Sequence, residues 1–213
     1  MVSELSRETL AALRRHRRYP DMGDELSWKS LERITRDLFP PSATPSTVHP
    51  LTGDQILYCP ERAKRPHHNG KNGNHQQPAT EQLHCPICVG KTTPVIDVIP
   101  LSQGGDAFVN FNLFAAIHPE NGIYIPEKIS QPIQGTHLLI WPSRSHIDID
   151  ALSSEDHAQS FVAMQHLENR LQNDNRGTYM QVFKNTGVVA GSSLDHGHYQ
   201  VILSNAEPSK LRA

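Results

Sequence analysis

Asp195-His196-Gly197-His198-Tyr199-Gln200-Val201-Ile202-Leu203 reads as a β-strand with two very different faces. Side chains alternate across a strand, so His196, His198 and Gln200 point to one side while Tyr199 and Val201 point to the other. Three polar groups in line on a strand that continues as Val-Ile-Leu are costly inside a core. Two places tolerate them: the lining of a site, or the solvent side of an edge strand.

The neighbouring segments decide the fold class. Residues 178–184 read as another strand, and residues 136–142 (Thr-His-Leu-Leu-Ile-Trp-Pro) as a buried one. Between them Ser153 opens a Ser-Ser-Glu-Asp capping pattern, and Phe161, Met164, Leu167 and Leu171 follow at helical spacing as a core-facing stripe. Residues 95–101 and 107–117 are apolar and β-branched enough for strands, and residues 55–60 for a short one. Strands, a helix, then strands again, with few crossover helices, predict an α+β fold with a mainly antiparallel sheet flanked by helices.

Residues 1–45 read as a helical N-terminal extension, and residues 46–213 as the domain proper. Within the extension Ser6 can cap a segment carrying Leu10 and Leu13, and Trp28, Leu31, Ile34 and Leu38 share one face of a second segment. The run Arg14-Arg15-His16-Arg17-Arg18 suits a solvated helix end or a phosphate contact. Residues 66–82 are polar with repeated Asn-Gly turn signals, a loop in which His67, His68 and His75 are polar decoration or stray metal donors.

A length of 213 residues fits one domain with an extension. With 20 Lys and Arg against 22 Asp and Glu, the net charge of −2 argues against a nucleic-acid-binding stripe or a polybasic membrane anchor. No apolar run approaches the ~18 residues of a membrane span, and the N-terminal stretch has no apolar signal core. Three cysteines are too few for a disulfide framework, so a reducing, cytoplasmic setting is expected.

Four features carry candidate chemistry. Cys85-Pro86-Ile87-Cys88 has the spacing at which two thiolates chelate one tetrahedral zinc, and equally the spacing of a redox dithiol. The His196/His198/Gln200 face is the second feature. Asn185-Thr186-Gly187 followed by Gly191-Ser192-Ser193 can cradle a phosphate through backbone amides, or can simply turn between two strands. Arg62-Ala63-Lys64-Arg65-Pro66 places two arginines where they can grip phosphate oxygens, or forms a basic surface patch.

In combination these pieces resemble the galactose-1-phosphate uridylyltransferase family of the histidine-triad superfamily. The resemblance runs in order through Cys59-Pro60-Glu61-Arg62-Ala63-Lys64-Arg65-Pro66, Cys85-Pro86-Ile87-Cys88, Asn112-Leu113-Phe114-Ala115-Ala116-Ile117, the strand from His137 to His146, and Asn185-x-Gly187…Gly191-x-Ser193-x-x-His196-x-His198-x-Gln200. It covers about residues 48–204 and the first of the family's two homologous halves. It implies a structural zinc held by Cys85, Cys88, His146 and His196, and a nucleophile, His198, that forms a covalent nucleotidyl-histidine. Gln200 and Ser193 would hydrogen-bond phosphate oxygens as charge builds; Arg62, Arg65 and Asn185 would hold phosphates; Asn112 would lie near the nucleoside. The backbone carbonyl of Gly197 is the expected partner that orients His198.

Two positions depart from the family pattern: Gly197 stands between the histidines where proline is usual, and Asp195 precedes them in place of another proline. Relatives use uracil or adenine nucleotides, so the base stays open. The implied partners are a nucleotide sugar and a sugar phosphate or phosphate acceptor, with no nucleic acid or membrane, and a homodimer is expected. Three functions are therefore set against one another: a nucleotidyltransferase, a nucleotide-sugar phosphorylase or hydrolase, and a zinc-stabilised nucleotide-binding module without turnover.

Overall fold

Gly-Thr-His-Leu-Leu-Ile-Trp-Pro, Gly135–Pro142, is buried along its whole length and forms the middle strand of a five-stranded sheet. A computed structural model describes residues 31, 33–34, 37, 46–65, 85–88, 92–93, 95–100, 106–117, 133–142, 148–172, 179–187, 189–192, 194, 196–206 and 208. A two-stranded ribbon, β1 (Ser46–Val48) and β2 (Gln55–Leu57), comes first. The main sheet contains β3 (Val95–Pro100), β4 (Asp106–Phe111), β5 (Gly135–Pro142), β6 (Tyr179–Phe183) and β7 (Tyr199–Ser204), with α1 (Ser154–Gln172) between β5 and β6. Its order is β3-β4-β5-β7-β6, and every neighbouring pair is antiparallel. The α+β class and the antiparallel sheet are as the sequence predicts.

Alternation divides each strand between two layers. Leu138 and Ile140 of β5, Val109 and Phe111 of β4, and Tyr199, Val201 and Leu203 of β7 join Ala163, Met164, Leu167 and Leu171 of α1 in one apolar core. Leu139 and Trp141 of β5 and Phe108 of β4 face the other way, against Cys85 and Ile87. Arg170 near the end of α1 pairs with buried Asp97 on edge strand β3 at 2.7 Å, tying the helix to the far side of the sheet. Among the described residues no helix is long and apolar enough to cross a membrane.

Some expectations shift. Phe161 is 64% exposed and is not core; Ala163 takes its place. At ~100° per residue Phe161 lies about 90° from the axis of the stripe formed by Ser160, Met164, Leu167 and Leu171, which leaves it on the flank. The capping pattern is formed: Ser153 Oγ accepts from the Asp156 N–H at 3.1 Å and donates to its carboxylate at 2.8 Å. The strand expected over 55–60 stops at Leu57, because Pro60, which has no N–H, opens a short 3-10 helix, Pro60–Lys64. The strand expected over 107–117 stops at Phe111, where Asn112 Oδ1 accepts from the Phe114 N–H at 3.0 Å and turns the chain.

Of the expected N-terminal extension, residues 1–30, including the basic run, lie outside the described residues. Residues 31, 33, 34 and 37 are helical, and Leu31 and Ile34 are fully buried in the α1-side core. The loop with His67, His68 and His75 also lies outside the described residues.

Gly135 marks the closest approach of β5 to β7. A Cβ there would stand 2.0 Å from the Leu203 carbonyl oxygen, so the pairing Gly135↔Ser204 admits only glycine without displacement.

Candidate active site

The β5–β7 register brings the polar residues of both strands together. Leu139 faces Gln200 and Ile140 faces Tyr199, which sets His137, Trp141, His198 and Gln200 on the face opposite α1. The strand proper begins only at Tyr199, yet His196 and His198 continue its alternation and both meet the Trp141 indole. His198 lies tilted over that ring with centroids 4.4 Å apart; His196 meets its edge at 5.6 Å and 83°. Buried indole N–H groups seek an acceptor, and Trp141 Nε1 donates to Asn110 Oδ1 at 2.8 Å.

His198 Nδ1 stands 2.9 Å from the carbonyl oxygen of His196, not of Gly197 as the resemblance suggested. A carbonyl only accepts, so Nδ1 carries the proton and Nε2 keeps its lone pair. Burial is the main cause that pushes the imidazole down to about 4; the His196 carbonyl opposes this, and His196, Lys184 and Arg65 add to it electrostatically. At neutral pH His198 is therefore an uncharged base with one nitrogen available and two cationic side chains near it.

Lys184, immediately after β6, is held by an ion pair with Asp148, whose carboxylate also accepts from the Ile149 N–H at 2.8 Å. Arg62 donates to the Phe114 carbonyl, and the Cys59 thiol donates to the Ala116 carbonyl at 3.0 Å, so both pin the 112–117 turn. Arg62 thus has a structural tie, while Arg65 is the arginine whose charge reaches His198. Asn185 is half-buried at the start of the β6–β7 connection. That connection turns on Gly187 and Gly191, both at positive φ (74° and 76°), and the Ser192 N–H closes it onto the Gly187 carbonyl at 3.1 Å. Ser193 lies outside the described residues.

Behind His198 is a second cluster. His196 Nδ1 stands 3.7 Å from Cys85 Sγ and 3.5 Å from Cys88 Sγ. Ligands about 2.3 Å (sulfur) and about 2.0 Å (nitrogen) from one tetrahedral zinc stand roughly 3.5 Å apart, so the donor set has the edges of such a site. A hydrogen bond with Cys85, together with burial, pushes the Cys88 thiol up, as expected where two sulfurs crowd one position. Cys85, Cys88 and His196 can hold a metal ion. His146, the fourth expected ligand, lies outside the described residues.

His137, Trp141, Lys184 and Asn110 also belong to this site, and no motif in the sequence marks them as such. His137 and half-buried Asn112 meet through Asn112 Nδ2 and His137 Nε2 at 3.1 Å, which joins Asn112 to the His137 network. The available signal was parity: in Thr136–Pro142, His137 and Trp141 occupy alternate positions of a strand whose other polar member is Thr136. Only the β5–β7 register shows that this parity coincides with that of His198 and Gln200.

Residues 39–208 match the family described as galactose-1-phosphate uridyl transferase, N-terminal domain. An ADP-glucose phosphorylase of Arabidopsis thaliana is 26% identical over 166 residues, which is 72% of this chain and 46% of that protein. A solved uridylyltransferase structure shares the fold with a TM-score of 0.53 and 19% identity, over 79% of this chain and 48% of that one. The chain thus spans about half the length of the relatives it matches.

Proposed function

This chain belongs to the galactose-1-phosphate uridyl transferase family, and from that membership we propose that it transfers a nucleotidyl group from a nucleotide sugar through His198. The observation that carries the reading is the His198 Nδ1 contact with the His196 carbonyl, which leaves Nε2 as the nucleophilic atom of a neutral ring. In the first step the Nε2 lone pair attacks the α-phosphorus. An N–P bond forms, the α-phosphorus–oxygen bond to the β-phosphate breaks, and sugar 1-phosphate leaves with that electron pair. In the second step a phosphate oxygen of the acceptor attacks the same phosphorus and the imidazole is regenerated. Arg65, Lys184 and Asn185, with Ser193, would hold phosphate oxygens, and the Gln200 amide would donate to charge that builds in the transition state.

Zinc fits the Cys85, Cys88 and His196 donors, with His146 completing four ligands in this reading. Two sulfurs and two nitrogens fill a closed tetrahedral site, so the metal would supply folding energy and hold the His196 backbone that orients His198. A chelator should then lower the melting temperature, with release of one zinc per chain; an unchanged melt would remove the metal from the reading.

The test is intact-mass spectrometry after brief incubation with UDP-glucose and, separately, with ADP-glucose, near neutral or mildly alkaline pH because an N–P bond to histidine is acid-labile. A gain of one UMP or one AMP, absent in His198→Ala, supports the mechanism and identifies the base. No gain in zinc-loaded protein turns the reading toward a binding module. A second reading, a nucleotide-sugar phosphorylase, is favoured by the likeness to ADP-glucose phosphorylase. Product analysis with inorganic phosphate against hexose 1-phosphate as acceptor separates the two.

A further inference from the structure

His137 is 1% exposed in the middle strand of the sheet, and among the described residues its ring meets these three polar groups. The Ala116 N–H donates to Nδ1 at 3.0 Å; Gln200 Oε1 is 3.1 Å from Nε2; Asn112 Nδ2 is 3.1 Å from Nε2. Phe183 of β6 covers the ring at 6.2 Å. A backbone N–H can only donate, so Nδ1 must offer a lone pair there and the ring proton sits on Nε2. With that tautomer, two of the three contacts pair a donor with an acceptor. With the proton on Nδ1, only the Asn112 contact does, because Asn112 Oδ1 is already engaged by the Phe114 N–H and its amino group faces the ring.

We infer that His137 is a positioning residue that fixes which end of the Gln200 amide faces the reacting phosphate. An Nε2–H facing Gln200 donates only to the amide oxygen, since the –NH2 end has no acceptor to offer. The –NH2 end is then turned away from His137, along the face that Gln200 shares with His198. Gln200 is buried, and among the described residues His137 is the group that distinguishes an amide presenting two donors to phosphate from one presenting an oxygen, which would repel it. The Ala116 N–H thus sets the ring proton, the ring proton sets the amide, and the amide sets the sign of the dipole offered to substrate. The role in transfer rests on the nucleotidyl-transfer reading; the orientation of ring and amide does not.

Two measurements on the zinc-loaded full chain test this. Nitrogen-15 correlation of the histidine rings reports which His137 nitrogen is protonated and needs no turnover. A proton on Nε2 supports the inference, and a proton on Nδ1 overturns it. The second measurement is a double-mutant cycle on the rate of nucleotidyl-enzyme formation. His137→Phe should slow transfer by at least about tenfold, up to the ~10²–10³ that outright loss of one such donor costs. In a Gln200→Ala background the same change should have no further effect. Equal slowing in both backgrounds would show a merely structural role and overturn the inference. Gln200→Glu guards against misfolding as the cause, since a carboxylate still accepts from His137 but offers no donor. Its folding is read separately by a thermal melt, and the folded molecules should lose transfer to the same extent as Gln200→Ala. If the wild type forms no adduct, the transfer reading fails by itself, and the ring tautomer still decides the orientation.

Discussion

The two faces of β5 and β7 are built from the same eight-residue and six-residue strands and held by different physics. On the α1 side, Leu138, Ile140, Val201 and Leu203 pack with Leu167 and Leu171 through contacts that have no direction. On the other side, His137, Trp141, His198 and Gln200 are placed by hydrogen bonds whose donors and acceptors must match one by one. The first face can lose a methylene group and keep its geometry. The second can lose one proton position and present the wrong group to a ligand. Stability and chemistry are thus separated by a single strand's thickness.

Substitutions on the two faces should separate accordingly. His198→Ala should lower nucleotidyl-enzyme formation by more than about 10³-fold, roughly 4 kcal/mol of barrier, while shifting the thermal melt by only a few degrees. A large loss of stability with retained transfer would erase the distinction. Leu167→Ala, one layer away, should cost about 2–5 kcal/mol in chemical denaturation and leave turnover per folded molecule unchanged.

Acid should act through the polar face. Burial holds the His198 imidazole down at about 4, against about 6.5 in an unfolded chain. Between these values the unfolded state binds a proton that the folded state refuses. The contribution is intact above pH 6.5 and falls as pH drops through 4, by about 3 kcal/mol at the end of that window. His198→Asn should flatten this slope in pH-dependent melts.

Trp141→Phe keeps the aromatic surface but strands the buried Asn110 oxygen, so about 1–3 kcal/mol should be lost, together with some slowing of transfer as His198 loses its platform. Arg170→Met should cost about 1–3 kcal/mol, because the Arg170 end of the pair is one-third exposed but its loss leaves the buried Asp97 carboxylate without a cation.

Much of the fold was legible because alternation and helical spacing are local properties. The Val201-Ile202-Leu203 continuation and the Ser153 capping pattern needed no tertiary information. The misplaced Phe161 shows the limit: a residue at helical spacing from Met164 can still lie on the flank of the buried stripe, and only the partner surface decides its width. Strand ends were misjudged where one residue changes the hydrogen bonding, Pro60 in one case and the Asn112 side chain in the other. The candidate site was legible where chemistry lies in spacing, as in Cys85-x-x-Cys88 and His196-x-His198. It was not legible where chemistry depends on register. His137 belongs beside Gln200 only because Leu139 pairs with Gln200, and that pairing cannot be read from either strand alone.

Gly135 gives this dependence a practical edge. It carries no functional group, yet its lack of a side chain lets β5 seat against Leu203 and Ser204 and so sets the phase of both strands. A slip of one residue would exchange inside for outside along the pair and carry His137 to the side of the sheet that α1 covers. In a saturation screen scored only by activity, Gly135 would therefore rank with the proposed nucleophile, and an observer without the structure would look for the chemistry in a residue whose whole contribution is to stay out of the way.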